Sequence, residues 1–251
     1  MLLTIDTGNT CVGTALFSGD RIVFKNKLIT PDRITVRFLK NLVGEAHLDK
    51  ISSIIISSVV PYIDQSLSTA IESLFGKKAM FIDHRTRTGI TIKVDTPQEL
   101  GADRIADSVG GIHFSKPPLI IIDSGTATTF DIVNGNYEYI GGCIFPGIEL
   151  SIRSLASNTA KLNRIAFTIP DSILGTSTEG NIRAGIYYSG IGGLEFMINE
   201  YKKITGPGAT VIATGGVSFY FLNKIKNIDL YEPNLIYYGL KLIHENQGLK
   251  K

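Results

Sequence analysis

The chain has 251 residues, 43% hydrophobic and 19% charged, so it can bury one large core or two modest ones and is too apolar for disorder. Its formal net charge of +2, with no dense Lys/Arg tract, argues against a nucleic-acid binder. Cys11 and Cys143 share no CxxC spacing and the four histidines are scattered, which excludes a disulfide framework and a zinc site. No apolar run approaches the ~18 residues of a membrane span and the start of the chain lacks a leader pattern. The expected location is therefore the cytoplasm, with no membrane partner.

The first elements read as a hairpin. Leu2 to Thr7 is a buried strand. A second strand through Gly13 to Phe17 turns at Ser18-Gly19-Asp20 and returns as Arg21-Ile22-Val23-Phe24. Thr30-Pro31 predicts a helix start, cap residue then proline. Ile51 to Val60 reads as a buried strand, Pro61 opens a helix, and Met80-Phe81-Ile82 is a short strand. Thr96-Pro97-Gln98-Glu99 has the form of a capping box and predicts the helix that carries Gly101 to Asp107. After Pro117-Pro118 the opening pattern returns. Leu119 to Ile122 is an apolar run, and Thr128 to Val133 is a strand turning at Asn134-Gly135. Ile148 to Leu155 and Thr178 to Lys203 are predicted helices. The second contains Gly180, Gly185, Gly190, Gly192 and Gly193, which implies close packing against a neighbour or a break. Thr210 to Ala213 is a strand ending at Gly215-Gly216, and Pro233-Asn234 opens the last helix.

Two segments carry the same signal. Asp6-Thr7-Gly8-Asn9-Thr10 and Asp123-Ser124-Gly125-Thr126-Ala127-Thr128 each follow an apolar strand with Asp-x-Gly and then threonine. Such turns suit metal-bound phosphate: the carboxylate holds a hydrated cation, glycine lets backbone N–H groups approach, and threonine donates to phosphoryl oxygen. One turn per half predicts a duplicated α/β unit with both turns facing one nucleotide cleft. There is no GxxxxGK[ST], which excludes a P-loop kinase.

The order of these parts resembles the actin-like ATPase and sugar-kinase superfamily, and the local motifs resemble type III pantothenate kinase in particular. They are the two turns, Gly101-Ala102-Asp103-Arg104, Gly141-Gly142-Cys143-Ile144-Phe145-Pro146-Gly147, Thr214-Gly215-Gly216 and Glu232 to Leu240, spread over nearly the whole chain. The resemblance implies two related actin-like (ribonuclease H-like) domains, taken as 1–115 and 116–251. It also implies ATP-dependent phosphorylation of pantothenate to 4′-phosphopantothenate, the first step toward coenzyme A. ATP would be bound by Asp6, Thr7, Gly8, Asn9, Thr10, Cys11, Val12, Gly13 and Thr126, with Asp6 near Mg²⁺. Asp123 would hold a monovalent cation, K⁺ or NH₄⁺. Gly101, Ala102, Asp103, Arg104 and Thr178 would bind pantothenate, with Asp103 as proton acceptor and Thr178 contributed across a homodimer interface. Two positions depart from the family pattern: Val94 stands where many members have a pantothenate-contacting tyrosine, and Val217 follows Gly216 where aspartate is frequent. Alternatives are a kinase of another small alcohol on the same fold and a non-catalytic transcription accessory factor.

Overall fold

The computed structural model describes residues 1–159, 162 and 164–248. The chain forms two compact units, residues 1–114 with 234–251 and residues 115–233. The first contains β1 (Leu2–Thr7), β2 (Cys11–Ser18), β3 (Arg21–Ile29), α1 (Val36–Val43), β4 (Ser53–Ser58), α2 (Pro61–Phe75), β5 (Met80–Phe81), β6 (Thr91–Ile92) and α3 (Ala102–Phe114). The second contains β7 (Leu119–Ser124), β8 (Ala127–Val133), β9 (Glu138–Pro146), α4 (Ile148–Asn158), α5 (Thr178–Thr205), β10 (Thr210–Thr214) and β11 (Leu230–Tyr231). The last helix, α6 (Leu235–Gly248), belongs to the first unit.

The two sheets repeat each other. The first runs β3-β2-β1-β4-β5 and the second contains the run β9-β8-β7-β10-β11. In each, an antiparallel three-strand meander is extended by parallel pairing of its first strand, β1 with β4 and β7 with β10. Parallel strands buried on both faces read as continuous apolar runs, as Ile54-Ile55-Ile56 and Leu119 to Ile122 do.

The first sheet has helices on both faces. Leu3, Ile5 and Ile56 pack with Leu39, Leu42, Ile63 and Leu67 of α1 and α2, while Ile55 packs with Ile105, Val109, Leu240 and Ile243 of α3 and α6. Each such fully buried side chain contributes roughly 1.5–3 kcal/mol. In the second unit, Ile120, Ile122, Phe130 and Val211 pack against Ile152 of α4 and Tyr187, Leu194 and Ile198 of α5.

α6 was expected in the second domain and instead packs on α3. The cause is backbone contact. A Cβ at Gly110 would overlap the Leu235 carbonyl, and one at Gly239 would overlap the Ala106 carbonyl, so each glycine admits the other helix. Lys241 then anchors α6 to the β2–β3 turn, its Nζ lying 2.8 Å from Asp20 Oδ1 and 2.6 Å from Glu245 Oε1.

Two local expectations, at Thr30 and at Pro97, are corrected. The helix placed at Thr30 begins at Val36 and is capped by Thr35, whose side chain accepts from the Phe38 N–H. The residues from Pro97 to Glu99 form one 3-10 turn, and α3 starts at Ala102. Thr96 does bond Glu99, side chain to side chain at 3.1 Å. The cap of α5 is Ser177, which accepts from the Gly180 N–H at 3.1 Å, so Thr178 is the first helical residue. The glycines of α5 cause no break. Gly190 sits against the Phe221 ring, and Gly190 and Gly193 border a cavity of about 330 Å³ between α5, α4 and β9. Among the described residues, no helix is long and apolar enough to cross a membrane.

Candidate active site

In the first unit, β1 leads into a tight loop whose backbone is largely spoken for. The Gly8 N–H donates to Cys11 O at 3.0 Å, the Thr30 N–H to Thr10 O at 3.0 Å, and the Thr30 hydroxyl to Gly8 O at 2.6 Å. These bonds explain why Thr30 caps no helix: the end of β3 braces the loop. Asn9 and Thr10 remain exposed at its tip, Asp6 is half-buried, and the Thr7 Oγ1 is buried without a hydrogen-bond partner.

The Gly101 to Arg104 motif reaches the same place through Val59. The Val59 N–H donates to Thr7 O at 3.0 Å, and Val59 Cγ1 lies 3.5 Å from where a Gly101 Cβ would stand. The Val59 contact is an ordinary one; the atom that a Gly101 Cβ would overlap is Asp103 Oδ1, so glycine at 101 leaves room for the Asp103 carboxylate at the start of α3, beside the end of β4. Asp103 lies in the first turn of α3, with its Oδ1 accepting the Arg104 N–H at 2.8 Å. Burial pushes the Asp103 carboxyl above its ordinary value, opposed by the Arg104 N–H and guanidinium. A half-buried carboxylate with a raised pKa is a better proton acceptor than a surface one.

The second unit gathers three motifs. At the Asp123 turn, the Gly125 N–H donates to Ala127 O at 2.9 Å, and the Gly147 N–H to Thr126 O at 3.0 Å. A Cβ on Gly147 would overlap the Gly125 and Thr126 carbonyls. From the other side, Gly215 lies at φ +81°, and its Cβ would overlap Asp123 Oδ1 and Ser124 O. The Val217 N–H then bonds Ser124 O at 3.0 Å. The Asp123 turn, the Pro146-Gly147 turn and the Gly215-Gly216 turn therefore meet backbone to backbone. The Tyr231 hydroxyl donates to Gly215 O at 3.3 Å, and burial and the nearby Glu232 and Asp123 charges push its pKa up. Thr126 is exposed at this turn, and Thr178 is exposed at the start of α5.

Both turns offer oxygen donors of the kind hard cations take. Mg²⁺ carried by a nucleotide needs only one or two protein carboxylates, with phosphates and waters completing its shell. The Asp6 carboxylate fits that demand. Among the described residues, no three His, Cys, Asp or Glu side chains are grouped to hold a metal by themselves. At the second turn the Asp123 carboxylate and the Ser124 carbonyl, both beside Gly215, are oxygen donors of the kind a hard cation takes.

The family model for type III pantothenate kinase matches residues 2–200. A type III pantothenate kinase of Agathobacter rectalis is 36% identical over 260 residues, covering 100% of this chain and 99% of its own. The chain belongs to the type III pantothenate kinase family. Another member, from Geobacillus kaustophilus, is 38% identical over 258 residues and covers 100% of both chains. Solved structures show the fold. A Campylobacter jejuni protein assigned to the Baf family of transcriptional activators aligns with a TM-score of 0.60 at 18% identity, covering 98% of this chain and 100% of that one. The ROK hexokinase of Thermus thermophilus aligns with a TM-score of 0.55 at 14% identity, covering 99% of both. Each unit of this pantothenate kinase family member is thus an actin-like domain.

Three further buried polar residues belong to this unit: Ser57, paired in register with Asp6, Tyr237, whose hydroxyl stands at the Gly13 Cβ position, and Asp107. The spacing of Asp103 and Asp107, four apart on one helix, was the available signal for Asp107. Tyr237 lies inside the Glu232 to Leu240 motif.

Proposed function

We infer that this chain catalyses ATP-dependent phosphorylation of pantothenate to 4′-phosphopantothenate, feeding coenzyme A synthesis. Family membership over the full chain supports the reaction. The observation that supports the assignment of roles is the meeting of the Asp6 loop and the Gly101 to Arg104 motif on either side of Val59.

In this reading the loop from Asp6 to Gly13 and Thr126 bind ATP. Phosphoryl transfer passes through a loose transition state, so positioning and charge neutralisation dominate. Asp6 would help hold the Mg²⁺ that accompanies ATP, which would supply part of that neutralisation. Asp103 accepts the proton of the pantothenate hydroxyl, and its raised pKa favours that step. Arg104 offers positive charge beside it. Gly101 and Ala102 leave space for the substrate chain. Asp123 holds the monovalent cation, K⁺ or NH₄⁺, in the oxygen-rich second turn.

We further propose a homodimer in which Thr178 completes the partner's pantothenate site. Large apolar side chains exposed in the second unit support self-association: Phe196 is 62% and Ile204 67% exposed on α5. Val94, in place of the family tyrosine, leaves the choice of alcohol as the feature to test. A panel of primary alcohols of similar length, each tested for ADP release, checks it. Pantothenate is expected to give the highest kcat/KM; a different alcohol exceeding it would overturn the substrate assignment.

A further inference from the structure

Beneath the Asp6 turn, the first unit collects polar groups that the phosphate loop does not use. Asp6 pairs in register with Gly13 on β2 and with Ser57 on β4. Cross-strand partners point to the same face. That face is the one covered by α3 and α6, since Ile55, two residues before Ser57, packs with Ile105 and Leu240. Gly13 has no room for a side chain because the Tyr237 hydroxyl stands where its Cβ would be. Ser57 is completely buried and its Oγ has no hydrogen-bond partner. Asp107 is 3% exposed and Tyr237 8%.

The crossing of the two helices accounts for this gathering. Gly239 lies against the Ala106 carbonyl and Gly110 against that of Leu235, so α3 and α6 touch through their backbones. Asp107, next to Ala106, and Tyr237, between Leu235 and Gly239, are carried to the sheet together. Burial, then the Asp6 and Asp107 charges, hold the Tyr237 phenol far above its ordinary pKa. Its hydroxyl, which stands at the Gly13 Cβ position on the Asp6 face, keeps a proton to donate.

We propose that Tyr237, Asp107 and Ser57 form a positioning layer that holds the Asp6 carboxylate in the orientation that receives a magnesium–nucleotide complex. The proposal rests on the reading that Asp6 engages that complex. None of the three is a catalytic residue; each acts through Asp6. Outer-shell partners of this kind are worth roughly 10- to 100-fold in metal affinity.

The test is calorimetric binding of ADP with Mg²⁺ and of ADP with EDTA to wild type, Tyr237→Phe, Asp107→Asn, Asp6→Asn and Asp6→Asn/Tyr237→Phe. Tyr237→Phe is expected to weaken Mg-ADP about tenfold, leave metal-free ADP and the pantothenate KM within about twofold, and add nothing to Asp6→Asn. Wild-type affinity in Tyr237→Phe, equal weakening with and without metal, or full additivity with Asp6→Asn would overturn the layer. If Tyr237→Phe does not fold, Asp107→Asn carries the same comparison. A wild-type protein that binds ADP equally with Mg²⁺ and with EDTA would remove the Asp6 reading itself, and the layer with it.

Discussion

Gly215 is the position where backbone conformation and site geometry are most tightly joined. Its φ of +81° is one that L side chains rarely adopt, and its Cβ would lie 2.5 Å from Ser124 O and 2.7 Å from the Ser124 carbonyl carbon. The Ser124 carbonyl cannot yield easily, because the Val217 N–H holds it at 3.0 Å. Gly215→Ala therefore strains the backbone by about 1–3 kcal/mol and pushes on the Asp123 turn. For a chain of this size that lowers Tm by roughly 2–12 °C. Gly216→Ala is the control, since no atom lies within 4 Å of its ideal Cβ. Thermal melts followed by circular dichroism, with activity in K⁺, read both effects. Gly215→Ala is expected to melt lower and raise the K⁺ concentration needed for half-maximal rate, while Gly216→Ala stays near wild type. Equal melting and equal K⁺ dependence in both variants would refute the claim that Gly215 sets the second turn.

Asp103→Asn is expected to fold normally and lose roughly 10²- to 10⁴-fold in kcat, the usual worth of a general base; near-normal turnover removes Asp103 from that role. Because burial raises its pKa, Asp103 costs stability when ionised at neutral pH, and that cost is relieved as pH falls through the raised value. The variant should thus melt no lower than wild type, and the acid limb of wild-type kcat/KM should lie above 3.8, the ordinary aspartate value. Thr30→Val removes the 2.6 Å bond to Gly8 O, worth about 1 kcal/mol, so the ATP KM should rise several-fold with the pantothenate KM unchanged. Activity in Na⁺ alone should be much lower than in K⁺; equal rates would undercut the Asp123 assignment.

The repeated sheet was legible in the sequence because both its strands and its turns follow local rules. An apolar run ending in Asp-x-Gly gives the same strand and turn twice, and Pro61 starts α2 where its missing N–H costs nothing. What depended on distant partners was not legible. Thr30-Pro31 has the local form of a helix start, yet the Thr30 hydroxyl is taken by Gly8 across the loop. The C-terminal helix was assigned by chain order, while Gly110 and Gly239 tie it to α3. The site shows the same division. Asp6, Asp103 and Asp123 stand in motifs, whereas Tyr237 and Ser57 reach Asp6 only through helix crossing and strand register.

The most direct test is a coupled ADP-release assay with Mg-ATP and K⁺, run with and without pantothenate on wild type and Asp103→Asn. Release that depends on pantothenate in the wild type and collapses in the variant is the expected result. Release indifferent to pantothenate, or none from a folded protein that still binds ATP, would contradict the assignment of this chain as a pantothenate kinase.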